Sequence, residues 1–229
     1  MTHVIKISGY EADHPKSMQA LANALSIAPG EVVLVHGGGS VLPKTLAAIG
    51  GGASNPLAAD IAAMALRGGI NPRLVAALIR RNIQAIGLCG VDLELMYIQP
   101  GEDEPIVRFE VLKYLLDQNW LPVIAPIALD LASGCGTVLN ADLAAHMVAS
   151  ALGADELTFI INTPGVLSEG KRVTGISARQ FDRYIKQGVI DESYASVVRA
   201  AAAAAPFVGT VRITDIPSLF SGVETLVVA

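Results

Sequence analysis

A lysine stands in the first apolar run of the chain, Val4-Ile5-Lys6-Ile7, two residues ahead of Ser8-Gly9. An ammonium group in such a run must snorkel to water or meet an anion, because burying it unpaired is costly. A second run, Glu31-Val-Val-Leu-Val-His36, leads into Gly37-Gly38-Gly39, and a helix-compatible segment follows. Glycine in regular structure is entropically costly, so a triplet just past a strand needs a reason. Without Cβ atoms the backbone N–H groups can come close to an anion, helped by the helix N-terminus behind them; the simpler alternative is an ordinary strand-to-helix turn. Two glycine-bearing strand ends, one with a lysine, together make a phosphate cradle from Lys6, Gly9, Gly37, Gly38 and Gly39.

Two further segments carry polar groups at places where chemistry is done. In Leu139-Asn140-Ala141-Asp142, asparagine suits a helix N-cap and the aspartate falls in the first turn, where the dipole favours a carboxylate. Capping alone explains both residues; the functional alternative makes Asp142 an organiser of ammonium groups around a transferring phosphate. His146, one turn on, reads as a packing histidine. Ile160-Ile161-Asn162-Thr163-Pro164-Gly165-Val166-Leu167 reads as a strand ending in a polar turn, and open α/β sheets bind ligands at such carboxyl ends.

The elements that must position these residues follow from the alternation of Val/Ile/Leu runs with helix-length segments, the pattern of a largely parallel sheet wrapped by helices. Strands are expected near residues 4–8, 32–35, 83–89, 121–125, 157–161 and 208–213. Helices are expected near 15–27, 41–49, 56–66, 72–81, 109–118, 141–152, 178–187 and 194–205, with Asn71 as cap and Pro72 at the first helical position. Segments 92–106, 132–139 and 167–174 carry hairpin turn signals. With 229 residues, 52% hydrophobic and 16% charged, the chain has ample material for a real core. A net charge of −5 gives no basic field for nucleic acid. No apolar stretch approaches the roughly 20 residues of a membrane span, and the N-terminus lacks a signal-peptide core, so a cytoplasmic protein is expected. Cys89 and Cys135 form neither a metal spacing nor a disulfide framework, and no metal ligands are assigned. His36-Gly37-Gly38-Gly39 also mimics the oxyanion loop of some esterases, but the Gly-x-Ser-x-Gly elbow that mechanism needs is absent.

Taken in order, these segments resemble the amino acid kinase family, most closely its acetylglutamate kinase branch. The phrases Gln84-Ala-Ile-Gly-Leu-Cys-Gly-Val-Asp92 and Leu121-Pro-Val-Ile-Ala-Pro-Ile127 are especially close. The resemblance implies a three-layer αβα sandwich around a mainly parallel sheet of about eight strands, with residues 1–229 forming one domain. Its part up to about residue 150 would serve mainly the acceptor, and the rest mainly the nucleotide. The implied activity is phosphorylation of the carboxylate of an acylated amino acid by ATP, with Mg2+ carried by the nucleotide, in arginine biosynthesis. A homodimer acting on a small carboxylate, with no nucleic-acid or membrane partner, is implied too. Matched by position, Lys6 stabilises the transferring phosphoryl group and Asp142 orients the active-site lysines. Gly9, Gly37, Gly38, Gly39 and Asn140 contact substrate and phosphates, and Asn162, Thr163, Gly165, Val166 and Leu167 hold the nucleotide.

The chain departs from the family pattern at functional positions. Val197 stands where a second catalytic lysine is usual, and Arg199 lies ~200° round the helix from that position. Gly52-Ala53-Ser54 lacks the arginine that clamps the substrate, Val138 replaces a substrate asparagine, and Ser8 a first glycine. Lys44, Arg67 and Arg73 remain as cations for the cleft, although solvated surface charge is the more ordinary reading of each. These departures leave an alternative function, a catalytically weakened or inactive kinase-like protein that binds nucleotide or a small ligand in a regulatory role.

Overall fold

A computed structural model describes residues 1–48 and 58–228. The strands are β1 (Thr2–Ile7), β2 (Glu31–His36), β3 (Ala85–Cys89), β4 (Met96–Ile98), β5 (Ile106–Val107), β6 (Leu121–Ala125), β7 (Ile127–Asp130), β8 (Cys135–Val138), β9 (Glu156–Ile160), β10 (Leu167–Ser168), β11 (Lys171–Arg172), β12 (Gly175–Ser177), β13 (Thr210–Thr214) and β14 (Thr225–Val228). The α-helices are α1 (Gly9–Asp13), α2 (Pro15–Leu25), α3 (Val41–Ala48), α4 (Ala58–Ala63), α5 (Asn71–Ile79), α6 (Phe109–Asp117), α7 (Ala141–Leu152), α8 (Ala178–Lys186) and α9 (Ala195–Ala204).

Eight strands form one sheet in the order β12-β14-β13-β9-β1-β2-β6-β3. The pairs from β13 through β9, β1, β2 and β6 to β3 are all parallel, and β14 runs antiparallel to β13. Because side chains alternate across a strand, each central strand feeds two cores. Val4, Val33, Val35, Leu157 and Phe159 pack under α6, α7, α8 and α9. Ile5, Ile7, Val32, Leu34 and Ile160 pack under α1, α2 and α5. This is the expected αβα sandwich. Among the described residues, no helix is long and apolar enough to cross a membrane.

Several boundaries differ from the sequence expectation. The sheet strands β12 and β14 were not expected: β12 is three residues with one buried apolar side chain, and β14 is a four-residue segment of alternating burial. The turn expected over 132–139 is the far half of a hairpin, β7 with β8, that joins β4 and β5 in a separate four-stranded sheet. A short helix, α1, begins directly at Gly9, with the Ser8 side chain accepting from the Glu11 N–H at 3.3 Å. The helix expected to end near Leu66 instead passes into a π-helical segment, Met64–Ile70, which runs on into α5. Ile49–Leu57, including the Gly52–Ser54 segment, lies outside the described residues.

Asn71 is a correction of substance. It does not cap α5: Ile70 before it is helical, and Asn71 is wholly buried. Its Nδ2 donates to the Val123 carbonyl at 2.9 Å and lies 3.2 Å from His36 Nε2. The helical trace carries through from the π segment, so no free N–H groups remain there to cap.

Candidate active site

The carboxyl ends of the parallel strands place the candidate residues along one edge of the sheet. In register, Lys6 lies beside Val35 of β2 and Phe159 of β9. The turn after β1 is tied to β9 by Ser8 N–H donating to the Ile160 carbonyl at 3.1 Å. The turn after β2 is tied to β1 by Gly37 N–H donating to the Ile7 carbonyl at 3.1 Å.

These two turns touch. A Cβ on Gly9 would lie 2.0 Å from the Gly39 nitrogen, and one on Gly37 would lie 2.8 Å from the Gly9 nitrogen. Gly39 has φ +53°, which glycine adopts at no steric cost. The Asp13 carboxylate accepts the Ser40 N–H just beyond. The structure therefore brings Gly9, Gly37, Gly38 and Gly39 into one backbone cluster.

Lys6 is on the face of β1 that looks toward α7, the side of Val4 in the first core. Its Nζ lies 2.5 Å from Asp142 Oδ1, and both residues are only 8% exposed. Asp142 is placed by the start of α7, where Asn140 Oδ1 accepts from the N–H groups of Asp142 (2.8 Å) and Leu143 (3.2 Å). Asn140 thus caps the helix, and Asp142 partners the lysine.

The second oxygen of Asp142 accepts from Ser196 Oγ at 2.6 Å. Ser196 in turn lies 3.5 Å from Asn140 Nδ2, so the starts of α7 and α9 are joined through one hydroxyl. Val197, the residue read in place of the second lysine, is buried in the apolar core. Arg199 faces outward and pairs with Asp182 at 3.5 Å. Ser196 is a site residue that sequence reasoning missed; a serine in the first turn of a helix has too many ordinary explanations to announce a contact 54 residues away.

The turn after β9 divides. Thr163 Oγ1 donates to the Gly165 carbonyl at 2.8 Å and lies 3.4 Å from the Tyr194 hydroxyl, beside the start of α9. Gly165 has φ +133°, and a Cβ there would lie 2.5 Å from Thr225 Oγ1. Val166 is fully buried, and its N–H is spent on Thr225 Oγ1 at 2.9 Å. Leu167 belongs to the β10–β11 hairpin. Thr163 thus stands beside the start of α9, while Gly165 and Val166 fasten the turn to β14.

On the opposite face of the sheet lies a polar chain absent from the sequence expectation. His36 Nδ1 lies 3.2 Å from the Gly37 carbonyl, which only an Nδ1–H can satisfy, leaving Nε2 to accept from Asn71. Burial drives His36 down to about 4, so the ring is neutral. Arg67, expected as surface charge, is half-buried and donates to Asn71 Oδ1 at 3.3 Å and pairs with Asp92 at 3.3 Å. Lys44 and Arg73 are exposed, as expected. His146 packs as expected too, half-buried with Nδ1 3.2 Å from Ser150 Oγ.

The class of the protein is thus a mainly parallel αβα sandwich whose strand ends hold a buried lysine–aspartate pair and two apposed glycine turns. The chain belongs to the amino acid kinase family, whose family model matches residues 1–214. It is 37% identical to the acetylglutamate kinase of Chloroflexus aurantiacus, over 96% of this chain and 94% of that one. It is also 37% identical to the acetylglutamate kinase of Roseiflexus sp., covering 99% and 93% respectively. Among solved structures, a Streptococcus mutans protein superposes with a TM-score of 0.84 at 23% identity, over 100% of this chain and 98% of that one. The carbamate kinase of Giardia lamblia bound to AMP-PNP superposes at 0.71 with 19% identity, covering 99% and 98%.

Proposed function

We propose that this chain transfers the γ-phosphoryl group of ATP to the carboxylate of an acylated amino acid, as an acetylglutamate kinase does. The observation that carries this reading is the buried Lys6–Asp142 pair, 2.5 Å apart at the carboxyl end of β1, with the apposed turns of Gly9 and Gly37–Gly39 beside it. Phosphoryl transfer needs positioning and charge neutralisation more than covalent chemistry. Lys6 supplies a fixed positive charge for the equatorial phosphoryl oxygens. Asp142 holds that ammonium in place, and Ser196 and Asn140 hold Asp142. The glycine turns approach the acceptor and the phosphates with backbone N–H groups. Asn162 and Thr163 serve the nucleotide directly, and Gly165, Val166 and Leu167 shape its turn. One carboxylate oxygen attacks phosphorus as the bond to the ADP oxygen breaks, giving an acyl phosphate. Among the described residues no group of three His, Cys, Asp or Glu is spaced to hold a metal, and Mg2+ is taken to arrive with the nucleotide.

Identity of 37% along nearly the whole length of a kinase favours this reading over the non-catalytic alternative. The residues up to about 150 serve the acceptor and the remainder the nucleotide, within one cytoplasmic domain. A homodimer fits the free edge of β3, where Ile79 and Trp120 are 54% and 41% exposed around an open hollow. The test is ADP release with MgATP and a panel of acyl amino acids, with hydroxylamine trapping of the acyl phosphate. No release above background with any carboxylate acceptor sinks the reading, and light scattering decides the dimer.

A further inference from the structure

We propose that Arg67 binds the non-reacting carboxylate of the acceptor, as the fixed cation of the cleft beside the glycine turns; this rests on the acyl-amino-acid reading above. The cleft, about 810 Å³, is lined among the described residues by Arg67 and by small or apolar groups, including Met64, Cys89 and Ile127. The segment that carries Arg67 packs against the glycine turn: a Cβ on Gly38 would lie 3.4 Å from Leu66, the residue before Arg67. An apolar hollow with one guanidinium at its wall fits a small acyl group attached to an anion.

Three observations make Arg67 more than a surface charge. First, it is held from two sides: one N–H group bonds Asn71 Oδ1, and another faces Asp92, which itself accepts from the Cys89 N–H at 2.7 Å. Asn71 is anchored to His36 and Val123, so the guanidinium stands at the end of a chain fixed in the core. The remaining N–H groups of the fork are left to the cleft. Second, Arg67 lies in the π-helical segment, and such irregular turns re-aim side chains at functional sites. Third, Gly68 and Gly69, which follow it and line the same cleft, have nothing among the described residues within 4 Å of where a Cβ would stand, so the cleft is open beside the guanidinium.

The pairing with Asp92 does not remove the arginine from use. The two side chains are 41% and 36% exposed, and an ion pair so wetted is weak enough for a second carboxylate to share or displace it. Asp92 then fixes the fork's plane when the cleft is empty.

The experiment is calorimetric titration of N-acetylglutamate and of its α-carboxamide analogue into the full chain, without nucleotide, for the wild type, Arg67→Met and Arg67→Lys. Loss of a charge-assisted fork should weaken the diacid by about 10–100-fold in Arg67→Met, while the amide, lacking the recognised charge, changes little. Arg67→Lys keeps charge without the fork and should fall between; it serves in place of Arg67→Met if that variant does not fold. The proposal is overturned by wild-type protein that binds no diacid, by variants that bind it as the wild type does, or by equal loss of both ligands. Turnover separates this proposal from the one it rests on. Diacid binding that depends on Arg67, without ADP release, retires the kinase reading alone; turnover with an acceptor KM indifferent to Arg67 retires this one alone.

Discussion

Replacing Lys6 separates the stability of the Lys6–Asp142 pair from its chemistry. In Lys6→Met the methylene stem is kept, and the Asp142 carboxylate is left 8% exposed with only Ser196 and solvent at its rim. Breaking a buried pair by removing one partner costs about 3–5 kcal/mol, because the surviving charge is stranded. Asp142→Leu strands the ammonium instead and should cost a similar amount. Removing both charges in Lys6→Met/Asp142→Leu should return stability to within about 1–2 kcal/mol of the wild type, since two well-packed apolar groups replace a desolvated pair. Urea unfolding followed by circular dichroism measures this. With a slope of about 3 kcal/mol per molar, the upper end of the usual range as suits a chain of this length, each single variant should lose roughly 1–2 M in midpoint and the double variant much less. Turnover should behave otherwise. All three variants should lose at least ~10²–10³-fold in kcat, because the double variant restores packing but not the charge at the phosphoryl group. A double variant less stable than either single one would show that the two side chains do not share one buried pair. Turnover surviving in Lys6→Met would show that the phosphoryl charge is met elsewhere.

Three other outcomes follow from the geometry. Gly9→Ala places a Cβ 2.0 Å from the Gly39 backbone nitrogen, so the two turns must part; kcat should fall by more than tenfold, comparable to losing a preorganised donor, and steady-state kinetics on folded protein checks it. Asn71→Ala strands His36 Nε2 and the Val123 carbonyl in the core and should cost about 2–5 kcal/mol by urea titration, whereas a cap residue would cost only about 1. Acid should weaken the fold between pH 6.5 and 4: burial holds His36 at about 4, and burial with Arg212 nearby holds His3 at about 4, both below the ordinary 6.5. Both rings are neutral in the fold, so the unfolded chain takes up protons first as pH falls; each contributes on the order of 3 kcal/mol that is whole above pH 6.5 and lost on the way to 4. An unfolding midpoint unchanged between pH 7 and 4.5 would count against both histidines being held neutral.

The central strands were legible because parallel strands buried on both faces write continuous runs of Val, Ile and Leu, as in β1, β2, β6 and β9. The strands β12 and β14 were not: β12 holds a single buried apolar residue, Ile176, and β14, though it reads Leu226-Val227-Val228, is short and pairs with partners far along the chain. The same division holds at the site. Lys6 announced itself by being the wrong residue type in an apolar strand, and Asp142 by sitting at a helix start. Ser196, Asn71 and Arg67 were illegible or misread because each is ordinary where it stands in sequence. Asn71-Pro72 has every feature of a helix start, and only the π turn before it, which no residue pattern marks, converts the cap into a core hydrogen-bonding group.

The glycines show why identity alone underdetermines role. Gly9 and Gly39 are needed because backbone meets backbone: a Cβ on Gly39 would lie 2.2 Å from the Gly9 carbonyl, and neither chain can yield. Gly87 is needed for a different reason, since a Cβ there would lie 2.0 Å from Asn71 Oδ1 and displace the group that fixes both His36 and Arg67. Among the described residues, Gly68 and Gly69 meet nothing within 4 Å. The sequence reading weighed two tasks for the triplet after β2, approach to an anion and an ordinary strand-to-helix turn. The structure adds a prior one. Two turns that close on each other fix the direction of their N–H groups before any phosphate arrives. Electrostatic stabilisation of a transition state depends on such dipoles being set in advance, because dipoles that must reorient take back much of what they contribute. The close contact of Gly9 with Gly39 is therefore part of how the turns would act on a phosphoryl group, and a substitution that merely separates them should lower kcat before it lowers nucleotide affinity.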